Sequence, residues 1–402
     1  MKSLIKFEYR KLWNKVGVTA VITLLILTTV YTFAFIGVQR GTFDENGKSV
    51  SGIATYRVLR ENSKDLEGVM DEKYIKKLIK KYNASFEKKY ITSPDHSGYL
   101  SMGGMTKYDD TNYLVNYAYY GPYMSNGNEK MGLDYDFLKS EKSFYKKYKE
   151  ALYDDQTFAG YQKMNPKREV ALKKKINQLK TPFRIGYRQG LANVSSYFQN
   201  LYPCFILALA FALASIYAKD SVSGINEMTL CTACGRKQDL KAKWIAGNLF
   251  TVSAYILFWA VLLIEHGAVA TLDGWNVTAQ QMWITIQNIN MGTGMVIQFA
   301  SGLVGVLVAA NIIMMLSIKI KKTKLTVFTG AVIMYLLIKW NATYGVFGYF
   351  NPLKFSSNDI FQTFFLGNTP VPYYYFVPFL GAVYILISYV CSRMSYRRLK
   401  IN

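Results

Sequence analysis

Six apolar runs, each about the length of one bilayer crossing, constrain this chain more than anything else in it. They are Val16–Ile36, Ser196–Ala218, Trp244–Ile264, Gly292–Ile318, Leu325–Tyr344 and Tyr373–Cys391. A helix rises about 1.5 Å per residue, so roughly 20 apolar residues cross the hydrocarbon layer. A soluble core has no need of so many long runs. The first run is longer than a signal-peptide core, and no clear small-x-small cleavage site follows it, so it reads as a retained span.

The basic residues between the runs alternate. Eighteen of the 48 Lys and Arg lie in the N-terminal flank, the second-to-third connection, the fourth-to-fifth connection and the C-terminal tail. Glu265–Met291 carries none, and Gly345–Pro372 carries only Lys354. By the positive-inside rule, both termini and residues 219–243 are expected in the cytoplasm. The remaining connection, 37–195, is then expected outside, with 28 basic and 19 acidic residues. Long loops cross regardless of charge. The formal net charge of +22 is thus read as topology plus a solvated basic surface, with no nucleic acid as partner. None of the four cysteines falls in 37–195, which suits a bacterial surface protein better than a disulfide-rich secreted one.

Residues 1–15 read as an amphipathic interface helix. Leu4, Ile5, Tyr9, Leu12 and Trp13 recur at helical spacing among Lys2, Lys6, Arg10 and Lys11, a pattern suited to membrane lipid headgroups. The large connection reads as mainly helical. Apolar stripes recur over Asp71–Tyr90 and Leu133–Leu152, and Asn165-Pro166 is a helix start before Leu172, Ile176 and Leu179. Asn112–Tyr120 reads as a candidate strand and Gly98–Met105 as a turn region. Phe347–Gly367 is too apolar for a free loop and is read as short helices dipping toward the membrane. Lys339 lies near one end of its run, where its stem can snorkel to the interface.

Catalytic signals are missing from the sequence. Gly41 and Gly47-Lys-Ser have five residues between the glycines where a phosphate loop needs four. Cys231-Thr-Ala-Cys234 has no second ligand pair, and the two histidines, His96 and His266, are both placed outside. No interior Asp or Glu interrupts the runs, with Glu265 at an end, so ion coupling has little support. The chain reads as neither an enzyme nor a metal protein, and no cofactor is expected.

Between the second and third runs lies a polar stretch, Lys219–Lys243, with Asp220 at its start, Gly224 four residues on, Arg236 near its end and Lys243 leading into the next run. This resembles the first cytoplasmic loop of ABC-2 type transporter permeases, although Cys234 and Gly235 stand where that family often has Pro and a small residue. The resemblance covers the membrane portion. It implies an all-α polytopic protein of six transmembrane helices, with a large, mainly helical extracytoplasmic domain (37–195) between helices 1 and 2. It further implies the membrane subunit of an ATP-driven exporter, paired with a separate ABC ATPase subunit and a second permease, moving a peptide, amphiphile or lipid. A short coupling helix at about Ser221–Thr232 would dock on the ATPase. Ile225, Met228 and Leu230 would supply apolar contacts, Asp220 and Glu227 would meet basic residues of the motor, and Arg236 and Lys243 would anchor the loop to headgroups. The other reading is a membrane-anchored sensor whose outer domain detects a ligand and whose loop recruits a cytoplasmic partner.

Overall fold

In a computed structural model, residues 1–39, 41–43, 49–64, 67–78, 114, 140–158, 164–222, 235–341 and 346–398 are described. Their main helices are α1 (Lys2–Leu12), α2 (Lys15–Gln39), α3 (Ile53–Lys64), α4 (Glu141–Phe158), α5 (Pro166–Asn177), α6 (Gln189–Leu213), α7 (Ser215–Val222), α8 (Gly235–Ala270), α9 (Met291–Ile320), α10 (Thr323–Asn341) and α11 (Val377–Arg397). Six stretches are long and apolar enough to cross a membrane: Lys15–Ile36, Gln189–Asp220, Gln238–Ala270, Met291–Ile320, Thr323–Trp340 and Tyr373–Arg397. The chain is therefore mostly helical and has the build of a multi-pass membrane protein.

Two of these spans are longer than their hydropathy suggests. The second begins seven residues before Ser196, and the third begins well before Trp244. Between α6 and α7 the helix breaks at Ala214, and Ser317 of α9 repairs the break. Its hydroxyl donates to Ala214 O at 2.7 Å and accepts from the amides of Tyr217 and Ala218 at 3.3 and 3.1 Å. Freed backbone groups inside a bilayer need such a partner.

The helices pack around one aromatic core. Phe198 and Phe205 of α6, Tyr255, Phe258 and Trp259 of α8, and Tyr202 are all buried within it. Glycines allow the close approaches. A Cβ at Gly381 of α11 would sit 2.1 Å from a Val304 methyl of α9, which binds these two helices tightly. Polar side chains add a second tie, as expected inside a membrane. Asn311 of α9 accepts from Trp244 Nε1 at 2.5 Å and donates to Asn248 at 2.9 Å, both on α8. Helix α10 is the least enclosed: only 11% of its apolar window is buried.

At one end of the bundle, three connections build a second core. Met70, Ile75, Phe144, Tyr148, Leu172 and Phe183 come from the long connection, Ile286 from the segment between α8 and α9, and Phe365 from the segment between α10 and α11. This core draws on three connections, and the last residues of 37–195, from Gln189, already belong to the span helix α6. Asn165 caps α5, accepting from the Arg168 amide, with Pro166 in the first turn. Helix α4 starts at Glu141, and residues 133–139 lie outside the described residues. Of the stripe 71–90, residues 72–78 are helical and 79–90 lie outside the described residues, as do the candidate strand, save Leu114, and the Gly98–Met105 turn.

Short antiparallel pairs modify the all-helical expectation. They join β1 (Gly41–Phe43) to β2 (Ser49–Ser51), β3 (Gly68–Val69) to β4 (Arg184–Ile185), and β5 (Thr363–Leu366) to β6 (Thr369–Pro372). The apolar segment before α11 does fold into short 3-10 turns, with Lys354 buried and paired to Asp359 at 3.3 Å. Lys339 is exposed, its ammonium 5.6 Å from the Tyr335 ring centre, an arrangement consistent with snorkelling.

Candidate functional site: a buried ionic network at the chain ends

The opposite end of the bundle gathers four segments that are remote in sequence. Helix α1 brings Glu8 and Lys11, α7 brings Asp220, the first turns of α8 bring Asp239 and Lys243, and the last turn of α11 brings Tyr396. Lys11 Nζ donates to both Asp220 oxygens, at 2.8 and 3.0 Å. Lys243 Nζ bridges Asp220 at 2.7 Å and Asp239 at 2.8 Å. Tyr396 donates to the same Asp239 oxygen at 2.5 Å. Asp220 and Lys243 are each only 2% exposed.

Burial on this scale forces the pairing. An isolated charge taken from water costs several kcal/mol, and the cost is met only when partners and hydrogen bonds surround it. The aromatic wall does part of this. Lys243 Nζ lies 5.5 Å from the ring centre of Tyr217, and that ring packs edge-on to Tyr396 at 5.9 Å. Tyr217 in turn donates to Leu240 O at 3.1 Å. Glu8 is the peripheral acid, 3.8 Å from Lys11. Desolvation raises its pKa above the usual carboxylate value, against the pull of Lys11 and Lys243 and with a push from Asp239 and Asp220.

The predicted residues divide three ways. Asp220 and Lys243 lie together, paired at 2.7 Å and both buried, so within the chain each faces the other. The physical reason is that α7 and α8 continue as helix to Val222 and from Gly235, which turns both charges inward. Gly224, Ile225, Glu227 and Met228 lie outside the described residues, as does Leu230; Arg236 is in the first turn of α8, its side chain not described. In the interface helix Leu12 is buried, Tyr9 and Trp13 pack against the main core, and Leu4 and Ile5 are half-buried. Tyr9 bonds Ser253 of α8 at 2.9 Å, and the Trp13 ring packs tilted against Phe250, 4.9 Å between centres. One face of α1 therefore lies on protein, while Phe7 stays 62% exposed on another.

Sequence reasoning missed Glu8, Lys11, Asp239, Tyr217 and Tyr396. Two signals pointed to them. Glu8 is the sole acid in residues 1–15, four residues from both Leu4 and Leu12, and Asp239 stands four residues before Lys243.

His266, expected in the connection after the third span, lies instead within the helix. It is fully buried in α8, its ring 4.7 Å from Tyr197 of α6. Glu265 likewise lies within α8 and accepts from Thr29 of α2 at 2.5 Å. The helix runs on to Ala270, five residues past Glu265, because the turn that ends it is held against α6 by close backbone contact at Gly190. Among the described residues no group of His, Cys, Asp and Glu is arranged to hold a metal.

No family model matches the chain, no curated protein matches it, and no solved structure matches it.

Proposed function

We propose that this chain is the membrane subunit of an ATP-driven exporter of the ABC-2 type, taking its energy from a separate ATPase that grips residues 223–234. One observation carries the reading. Asp220 at the end of the second span and Lys243 at the start of the third, the two positions that frame the resemblance, are joined by a buried ion pair of 2.7 Å. The ends of α7 and α8 are thereby joined to each other, to α1 through Lys11 and to α11 through Asp239 and Tyr396. A push on either end reaches four parts of the bundle at once. Two further points support the topology. The three connections between spans 1–2, 3–4 and 5–6 share one core, and the basic flanks lie at the other end. Cargo is a peptide, amphiphile or lipid, and the second permease is identical or homologous.

The test is affinity purification of the full chain in mild detergent, with mass identification of any ATPase retained. Asp220 cannot be used to probe the motor, because its loss disturbs the network itself. Glu227→Lys is the cleaner variant: the ATPase is expected to be lost while thermal stability is kept. Retention of an ATPase by that variant counts against docking at this segment. Absence of any ATPase from the wild-type preparation favours the sensor reading instead.

A further inference from the structure

At the other end of the bundle a cavity of about 510 Å³ opens among Arg60 and Lys64 of α3, Glu67, Arg184 of β4, Asp273 and Trp275. Its height is set by the chain. Arg184 lies five residues before α6 begins, and Asp273 and Trp275 follow within five residues of the end of α8. Helix α3 is pinned at the same level, for Tyr56 packs with Ile36 and Ala270 at the ends of the first and third spans. Tyr56 also accepts from Asn193 of α6 at 2.9 Å. The cavity thus sits where span ends meet the headgroup layer, a level at which Trp is favoured.

The floor is rigid backbone. A Cβ at Gly274, whose φ is +93°, would stand 2.2 Å from Tyr187 O, and one at Gly190 would stand 1.7 Å from Thr271 O. The mouth is fixed too. Gly292 N of α9 donates to Trp275 O at 2.9 Å, and the indole, 42% exposed, lies against Gly292.

The charges are unevenly used. Arg60 is paired with Asp273 at 2.8 Å. Among the described residues no carboxylate pairs with Lys64 or Arg184, and no cation pairs with Glu67, although all three line the same cavity. Two cations and a carboxylate, held open at headgroup height beside an exposed indole, match a molecule that carries a phosphate and an ammonium on an apolar tail.

We infer that this cavity binds the headgroup of an aminophospholipid, with the phosphate on Lys64 and Arg184, the ammonium on Glu67, and the glycerol end against Trp275. The inference does not rest on the exporter reading, since neither the network nor the 223–234 segment takes part.

The test uses the full chain in micelles of an uncharged maltoside. Short-chain phosphatidylethanolamine is titrated in, and the Trp275 signal is taken as the difference between wild-type and Trp275→Phe fluorescence. Saturable binding is expected, weakened about tenfold by Lys64→Gln or Arg184→Gln, as the loss of one charge-assisted hydrogen bond predicts. Glu67→Gln is expected to abolish the preference for phosphatidylethanolamine over phosphatidylglycerol while leaving the latter's binding intact. These three side chains are exposed, so their replacement leaves the melting temperature as a control. Equal binding of phosphatidylcholine and phosphatidylethanolamine, unaffected by the three variants, overturns the proposal. So does a signal produced by inorganic phosphate or a free dipeptide in place of the lipid, which would assign the cavity to a soluble ligand.

Discussion

The two ends of this bundle are held by different forces. One end is a small ionic knot, in which Lys11, Lys243, Asp220 and Asp239 bind three remote segments through charge and the Tyr396 hydroxyl ties in a fourth. The other is a composite of three connections, in which Phe144, Tyr148, Leu172 and Phe183 are excluded from water together. The knot depends on each partner being present and charged. The composite core depends on volume. A membrane protein can use both because its middle is already satisfied by lipid and helix packing, leaving each end to solve its own problem.

The largest effect is expected where a charge is orphaned. Lys243→Met takes the cation from buried Asp239, which keeps Tyr396 as a donor, and leaves Asp220 to Lys11 alone, at a cost of about 3–5 kcal/mol. The melting temperature in detergent should fall steeply, and Asp239→Leu added to Lys243→Met should recover part of the loss. Strict additivity of the two would show that the knot is not one unit. Next comes volume. Leu172→Ala removes a fully buried side chain from the composite core and should cost about 3 kcal/mol. Hydrogen exchange should rise across α4 and α5 and stay unchanged at α1; a uniform rise would erase the distinction between the two ends.

A smaller loss is expected from Ser317→Ala, which leaves the amides of Tyr217 and Ala218 and the carbonyl of Ala214 without their hydroxyl partner. About 1–2 kcal/mol is expected, and Ser317→Thr should restore most of it. The smallest effect is one of pH and belongs to the composite end. Burial pushes the Asp155 carboxyl of α4 up from 3.8 to about 6. A raised acid favours its protonated form in the folded state, so its contribution is complete below pH 3.8 and is lost as pH rises through about 6. Asp155→Asn should therefore match wild type at pH 3.5 and exceed it at pH 7, by on the order of 1 kcal/mol given its partial exposure. Identical pH profiles for the two proteins would remove this difference between the ends.

The spans were legible because hydropathy is local: each of the six runs announces itself within its own residues. So was the Asn165 cap, whose hydrogen bond reaches only three residues. The partners of Asp220 were not legible, because Lys11 lies 209 residues away and looks like one more basic flank. Glu8 stands alone among the basic residues of α1, and only the packing of α1 on α8 turns it inward. Ile286 and Phe365 sat in connections that read as separate, and no local pattern says that they will meet Phe144. The helix extensions at Gln189 and Gly235 were hidden by polar residues, which hydropathy discounts and a helix accepts.

The pair between Asp220 and Lys243 has a mechanical consequence. The end of α7 and the first turns of α8 are riveted to each other where the second and third spans end. A displacement of either end must tilt the second and third spans as a single rod, dragging the first and last helices with them. Splaying those two spans apart requires the rivet to be cut first.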